Sequence, residues 1–328
     1  MKKFCLGYTI PLIGKWGLSD GKVDISFNLD SIFGTDIYSV LQTRGFIPNP
    51  LTGYGDIELR PLSYGNWTYS HYIHLGYKDI LKTIFLELDQ IDSYCCVYLN
   101  YRLLICTDSS FIRYSVPISP YTRHGWNFLQ LKFNSTPIMA RSAYQKLAPN
   151  PPPPRCWPSV FNGECFINAV RTTQASFGWD WGPAFPIQGF WKTPSLRFNV
   201  VWLGDGVQFF PTLEGTTWRA AVSVEIIGGK PNSKVCVSVK LGGGLMKNFE
   251  KRCIRNERNS TDVWMELPLN GNSSVIPWWP IGVHSGPKVY SLMVQLRDVW
   301  GGYLYDSRLF RVGFRQVELI QVNFQNYF

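Results

Sequence analysis

No run of about 18 apolar residues occurs in this 328-residue chain, so nothing in it reads as a membrane-spanning helix. Like charges never come five in a row and no basic stripe forms, although 32 Lys and Arg against 23 acids give a net charge of +9. That excess lacks the clustering that nucleic-acid binding requires, so neither nucleic acid nor a membrane is expected as a partner. None of the eight cysteines, at 5, 95, 96, 106, 156, 165, 236 and 253, stands in a C-x-x-C spacing. The common zinc and redox motifs are therefore absent, and no metal or cofactor is expected. No segment repeats at a fixed period.

Apolar residues make up 45% of the chain, enough for a sizeable core, and 13 tryptophans raise the aromatic share to 16%. Indole faces pack well on the apolar C–H faces of pyranose rings, so this composition fits sugar binding. Cys156 and Cys165 close a short loop, and Cys236 and Cys253 flank the Gly-rich turn at 242–244. Both pairs read as disulfides more than as ligands. Four N-x-S/T sequons, at Asn66, Asn134, Asn259 and Asn272, join them in favouring the secretory route. The opening MKKFCLGYTIPLIG has a charged start, but Gly7, Thr9 and Pro11 break its apolar part. Residues 1–11 thus read as a degenerate signal or an incomplete start.

Short alternating or β-branched runs dominate: TIFLEL (83–88), SYCCVYLN (93–100), NFLQLKF (127–133), AAVSVEII (220–227), KVCVSVKL (234–241) and YSLMVQLRD (290–298). One helix is expected, over 36–46, where Ile37, Val40 and Leu41 share a face and Gly45 follows the last turn. PNPPPP (149–154) is too rigid for a sheet and reads as a loop. This rhythm predicts antiparallel sandwiches, with a boundary near 194–198.

Residues 174–192 read QASFGWDWGPAFPIQGFWK. Gly182-Pro183 stops regular structure directly after Trp179-Asp180-Trp181, and a helix does not tolerate such a density of Gly and Pro. The stretch is expected to be a shaped loop that presents aromatic faces around one carboxylate.

That loop closely resembles the end of the N-terminal jelly-roll domain of β-mannosidases, in the β-galactosidase, β-glucuronidase and β-mannosidase group of glycoside hydrolases. NGECFINAVR (162–171), together with the Cys156/Cys165 pair, is similar to the animal lysosomal members. GNWTYS (65–70), IDSYCCVYLN (91–100), TDSSFIRYS (107–115) and PWWPIGVHSGPKVYSL (277–292) follow in the family's order. VGFRQVELI (312–320) resembles the strand by which the group leaves its immunoglobulin-like domain. The resemblance covers about residues 12–320. Three departures stand against it: FNLDSIFGTD (27–36) replaces an apolar-Pro-Gly segment, Thr172 replaces a basic residue, and the chain stops at Phe328 where a catalytic (β/α)8 barrel is expected.

The resemblance implies an all-β fold, with a jelly-roll (galactose-binding-like) β-sandwich over 12–195 and an immunoglobulin-like β-sandwich over 196–316. Residues 317–328 would be a lead-in to the barrel. It implies a parent reaction of metal-free, retaining exo-hydrolysis of terminal β-mannose from glycoprotein-derived oligosaccharides, in the lysosome or secretory pathway. Such hydrolysis needs two carboxylates about 5–5.5 Å apart. The family carries both on the barrel, so no catalytic residue is expected here. Asn256-Glu257 imitates the family's Asn-Glu pair but lies among charges beside a sequon, where a hydrated loop is expected.

By the same resemblance Asp180 would accept hydrogen bonds from sugar hydroxyls, and Trp179 and Trp181 would stack on or wall off the sugar. The alternative is that the tryptophans pack between domains while Asp180 caps a turn. Arg171 would orient Asp180 or the sugar, or make a structural ion pair. His71 and His74, three apart on a strand, point to opposite faces and are not expected to share a ligand. Trp278 and Trp279 are expected in core or interface, and at least one of Cys95 and Cys96 as a buried thiol. A rival reading is a secreted, non-catalytic carbohydrate-binding or interaction protein made of the same two modules.

Overall fold

The computed structural model describes residues 8–179, 182–198, 201–228, 234–255, 260–270, 275–284 and 286–319, without the side chains of Gln174 and Trp179. The chain divides into two compact units, the first spanning Tyr8–Phe198. Both are built from antiparallel strands: a jelly-roll sandwich, then an immunoglobulin-like sandwich.

In the first unit a six-stranded sheet runs through Gly14–Ser19, Trp67–Leu75, Gly125–Phe133 and Cys95–Leu99. Alternation assigns its two faces. Trp67, Tyr69, Ile73, Leu129, Leu131 and Phe133 point inward and are buried, while Thr68, Ser70, Tyr72 and His74 point outward. The facing sheet is centred on Ile84–Asp89, whose residues 84–88 are buried on both sides, as a strand sandwiched between layers must be. The expected helix forms at Ile37–Thr43. Asp36 caps it by accepting from the amides of Tyr38 and Ser39, and Ile37, Tyr38, Val40 and Leu41 are buried.

An unforeseen helix, Thr136–Lys146, follows the sequon at Asn134, with Ser135 as N-cap and Pro137 in the first turn. Its buried residues are only Thr136, Pro137 and Ala140, which leaves almost no apolar period to read.

In the second unit the long strand Thr217–Gly228 pairs with Gln208–Glu214, Val201–Leu203 and Ser260–Leu267. The other sheet orders Glu250–Arg255, Lys234–Leu241, Tyr290–Asp298 and Leu304–Val312. Val222, Val224, Val237, Val239, Leu292 and Val294 form its interior. After Val312, residues 313–319 form no strand, which corrects the reading of VGFRQVELI. Instead Phe314 is fully buried, meeting Phe209, Trp218 and Tyr290 edge-on, so it closes the core. Trp278 and Trp279 are half-buried outside any strand, with the Arg315 guanidinium over both rings at 5.2 and 5.5 Å.

Among the described residues three disulfides are present: Cys156–Cys165, Cys236–Cys253 and Cys96–Cys106. The last was not anticipated. It joins directly opposed residues of the hairpin Cys95–Leu99 and Arg102–Thr107, leaving Cys95 as a buried thiol on the inward face. Among the described residues no group of three His, Cys, Asp or Glu side chains is placed to hold a metal, and no helix is long and apolar enough to cross a membrane.

Candidate functional site: the aromatic hairpin and its supports

The stretch anticipated as a shaped loop contains a two-stranded hairpin, Phe177–Trp179 against Gly182–Ala184, with Trp179 paired to Gly182. Asp180 and Trp181, the two residues between that pair, lie outside the described residues, as does the side chain of Trp179. Glycine at 178 has a structural reason. Its φ is +92°, and a Cβ there would lie 3.0 Å from the Cα of Gly163. The chain crossing it comes from the Cys156–Cys165 loop.

That loop anchors the hairpin. The Glu164 amide donates to the Phe177 carbonyl at 2.8 Å, and Phe177 is fully buried with Phe166, Ile167, Val170 and Ala140. Burying such a ring stabilises by roughly 1.5–3 kcal/mol. The Glu164 carboxylate accepts from Arg60 Nη1 at 2.9 Å and from the Tyr64 hydroxyl at 2.8 Å. Arg60 also donates to the Asn162 carbonyl. Burial, and then this bond to a carboxylate, push the Tyr64 hydroxyl up to about 12. The support is thus an ion pair whose two side chains are only 14% and 11% exposed.

Arg171 directly follows Val170, a member of the same buried cluster as Phe177. Its backbone bridges Ser109, and its carbonyl accepts from the Ser110 amide at 2.8 Å. The exposed side chain lines a cavity of about 730 Å³ together with Asp108, Lys146, Tyr94 and Ser109. Burial, and then the charge of Asp108, raise the Tyr94 hydroxyl above its ordinary value. A guanidinium, an ammonium, a carboxylate and hydroxyls around one opening can hydrogen-bond a polyhydroxylated ligand from several sides.

The next residue, Thr172, is fully buried, and its hydroxyl donates to Asp92 Oδ1 at 2.5 Å. Asp92 is itself fully buried. It also accepts from the Ser93 hydroxyl, and from Trp191 Nε1 at 3.0 Å. This carboxylate therefore ties together the strand Ile91–Asp92, the Arg171 segment and the strand Gly189–Lys192. Reading the sequence missed Asp92 and Glu164. Both stand as lone acids within the quoted apolar runs IDSYCCVYLN and NGECFINAVR, which was the available signal.

His71 and His74 do fall on opposite faces. His71 is buried, stacked on Trp16 at 4.6 Å, and its Nδ1 donates to the Lys15 carbonyl at 3.0 Å; His74 is exposed. Of the sequons, Asn66 and Asn134 are exposed, and the Asn66 side-chain Oδ1 accepts from the Ser135 amide at 2.9 Å. Asn259 and Asn272 lie outside the described residues, as do Asn256 and Glu257.

Fold and motif together define a class, and comparison with known proteins agrees. Residues 16–192, more than half of the chain, match the glycosyl hydrolase 2 galactose-binding domain-like family, and the chain belongs to it. Within that class it is similar to β-mannosidases. It is 28% identical to the β-mannosidase of Rattus norvegicus over 322 residues, covering 96% of this chain and 35% of that protein. With the β-mannosidase of Bos taurus it shares 29% identity over 329 residues, 97% of this chain and 36% of that one. The chain thus spans about a third of the length of the curated relatives it matches. The crystal structure of a β-D-mannosidase from Dictyoglomus thermophilum has the same fold, with a TM-score of 0.76 at 22% identity, over 95% of this chain and 37% of that one.

Proposed function

We propose that this chain is the sugar-positioning, non-catalytic portion of a β-mannosidase-like glycoside hydrolase. Its parent reaction would be retaining exo-hydrolysis of terminal β-mannose from glycoprotein-derived oligosaccharides. The observation that carries this reading is the braced strand pair Phe177–Trp179 and Gly182–Ala184, between which the sequence places Asp180 and Trp181, within a segment that matches the glycosyl hydrolase 2 family. In it, Asp180 accepts hydrogen bonds from sugar hydroxyls, the indoles wall off the ring, and Arg171 orients the acid or the sugar. The pair of carboxylates that breaks the glycosidic bond belongs to the barrel. The disulfides and the sequons Asn66, Asn134, Asn259 and Asn272 support a lysosomal or secretory setting.

The test is an assay of the purified 328 residues with an aryl β-mannoside. Turnover at background is expected. Turnover that co-purifies with the protein and falls on Glu257→Gln would overturn the reading.

A further inference from the structure

The outer face of the six-stranded sheet carries a second cavity, of about 800 Å³, which shares no lining residue with the one at Arg171. Its origin is local. Gly17 stands opposite Ser26 on one neighbouring strand and Ser70 on the other, so three small residues run abreast across the sheet. A Cβ on Gly17 would lie 2.6 Å from Ser70 Oγ, so a side chain there would fill the trough.

One wall is aromatic. Tyr72 and Trp126 are 61% and 60% exposed, with ring centroids 6.5 Å apart and planes at 88°. Neither ring is loose: Tyr72 packs on Phe128 at 4.8 Å, and Trp126 on His74 at 5.0 Å. Beneath the trough Trp16 is 1% exposed and stacked on His71, so the floor is set by the core. Around it stand the Lys15 ammonium and the hydroxyls of Ser26, Ser70 and Tyr72, and among the described residues no carboxylate lines it.

Rigid exposed rings held this way offer flat apolar area at low entropic cost, with a hydroxyl at the tip of one. The volume falls within the few-hundred to 1,000 Å³ range of small-ligand sites. A protein partner would need roughly 800 Å² of matched surface on each side. The donors surround the aromatic wall instead of lying in a charged line. That pattern matches a ligand with one apolar face and a rim of hydroxyls.

We propose that the trough bounded by Gly17, Ser70, Tyr72 and Trp126 binds a neutral pyranose oligosaccharide, one ring stacked on the aromatic wall. This site is separate from the hairpin and does not rest on the β-mannosidase reading.

Calorimetric titration of the 328-residue chain with β-1,4-mannotetraose and with chitin tetraose tests it. At least one probe should give saturable heat. Trp126→Ala and Tyr72→Ala, both at exposed positions outside the buried core, should each weaken binding about tenfold or more. Trp264→Ala, an exposed ring of the second unit, should leave it unchanged. Heat from neither probe would overturn the proposal, as would wild-type affinity in both Trp126→Ala and Gly17→Val. Binding lost in Arg171→Ala but kept in Trp126→Ala would place the sugar in the other cavity and overturn it equally.

Discussion

Asp92 shows how much a single buried carboxylate can organise. Its three donors come from Ser93, Thr172 and Trp191, and the two distant ones lie 80 and 99 residues away in the chain. Thr172→Val keeps the shape but removes one donor, leaving a buried charge short of a partner. We expect a loss of about 1.5–3 kcal/mol, read as a lower urea midpoint with an unchanged m-value. An unaltered midpoint would mean that the bond contributes nothing. His71 supplies a pH prediction. Burial lowers its pKa from the ordinary 6.5, the Lys15 carbonyl bond opposing only in part. The neutral ring is then the folded form, so its contribution is complete above 6.5 and is lost as pH falls through the lower folded value. Thermal scans from pH 7 to 5 should show a steeper fall in Tm for the wild type than for His71→Phe. Parallel falls would remove His71 from the account. Neither role was legible in sequence, because each depends on partners that only the fold brings near.

At the scale of elements, the quoted strands were readable because one buried face imposes a period of two on residues such as Asn127, Leu129, Leu131 and Phe133. The helix Thr136–Lys146 was not, since Ile138, its one large β-branched residue, is 52% exposed. Cys96–Cys106 was hidden for another reason. The hairpin joining its strands turns at Asn100 and Tyr101, both at positive φ, and tyrosine there disguises a turn usually written Asn-Gly. The Cys156–Cys165 loop was legible as a bridge, but its use was not. Through Glu164 and Gly163 it supports the aromatic hairpin. Replacing both cysteines by serine should cost about 2–3 kcal/mol in the chain-entropy picture. Hydrogen exchange at 177–184 should rise with it. If stability drops while exchange there stays at the wild-type level, the loop does not brace the hairpin.

For the molecule as a whole, two sandwiches have separate cores, and the first carries the strand pair Phe177–Trp179 and Gly182–Ala184, anchored through the buried Phe177. The motif was legible because Trp-Asp-Trp-Gly is too costly a sequence for a plain turn. Its supports were not legible, because Arg60 and Glu164 are 104 residues apart. On the function proposed above, Asp180 holds the sugar. That role is tested most directly by grafting this chain in place of the matching third of the Bos taurus β-mannosidase and, once the graft hydrolyses an aryl β-mannoside, measuring kcat/KM for Asp180→Ala. Loss of a charged acceptor for sugar hydroxyls should lower kcat/KM by about 3 kcal/mol, on the order of a hundredfold, with unfolding midpoints unchanged. Wild-type kinetics in Asp180→Ala would contradict the account and leave the hairpin as packing alone.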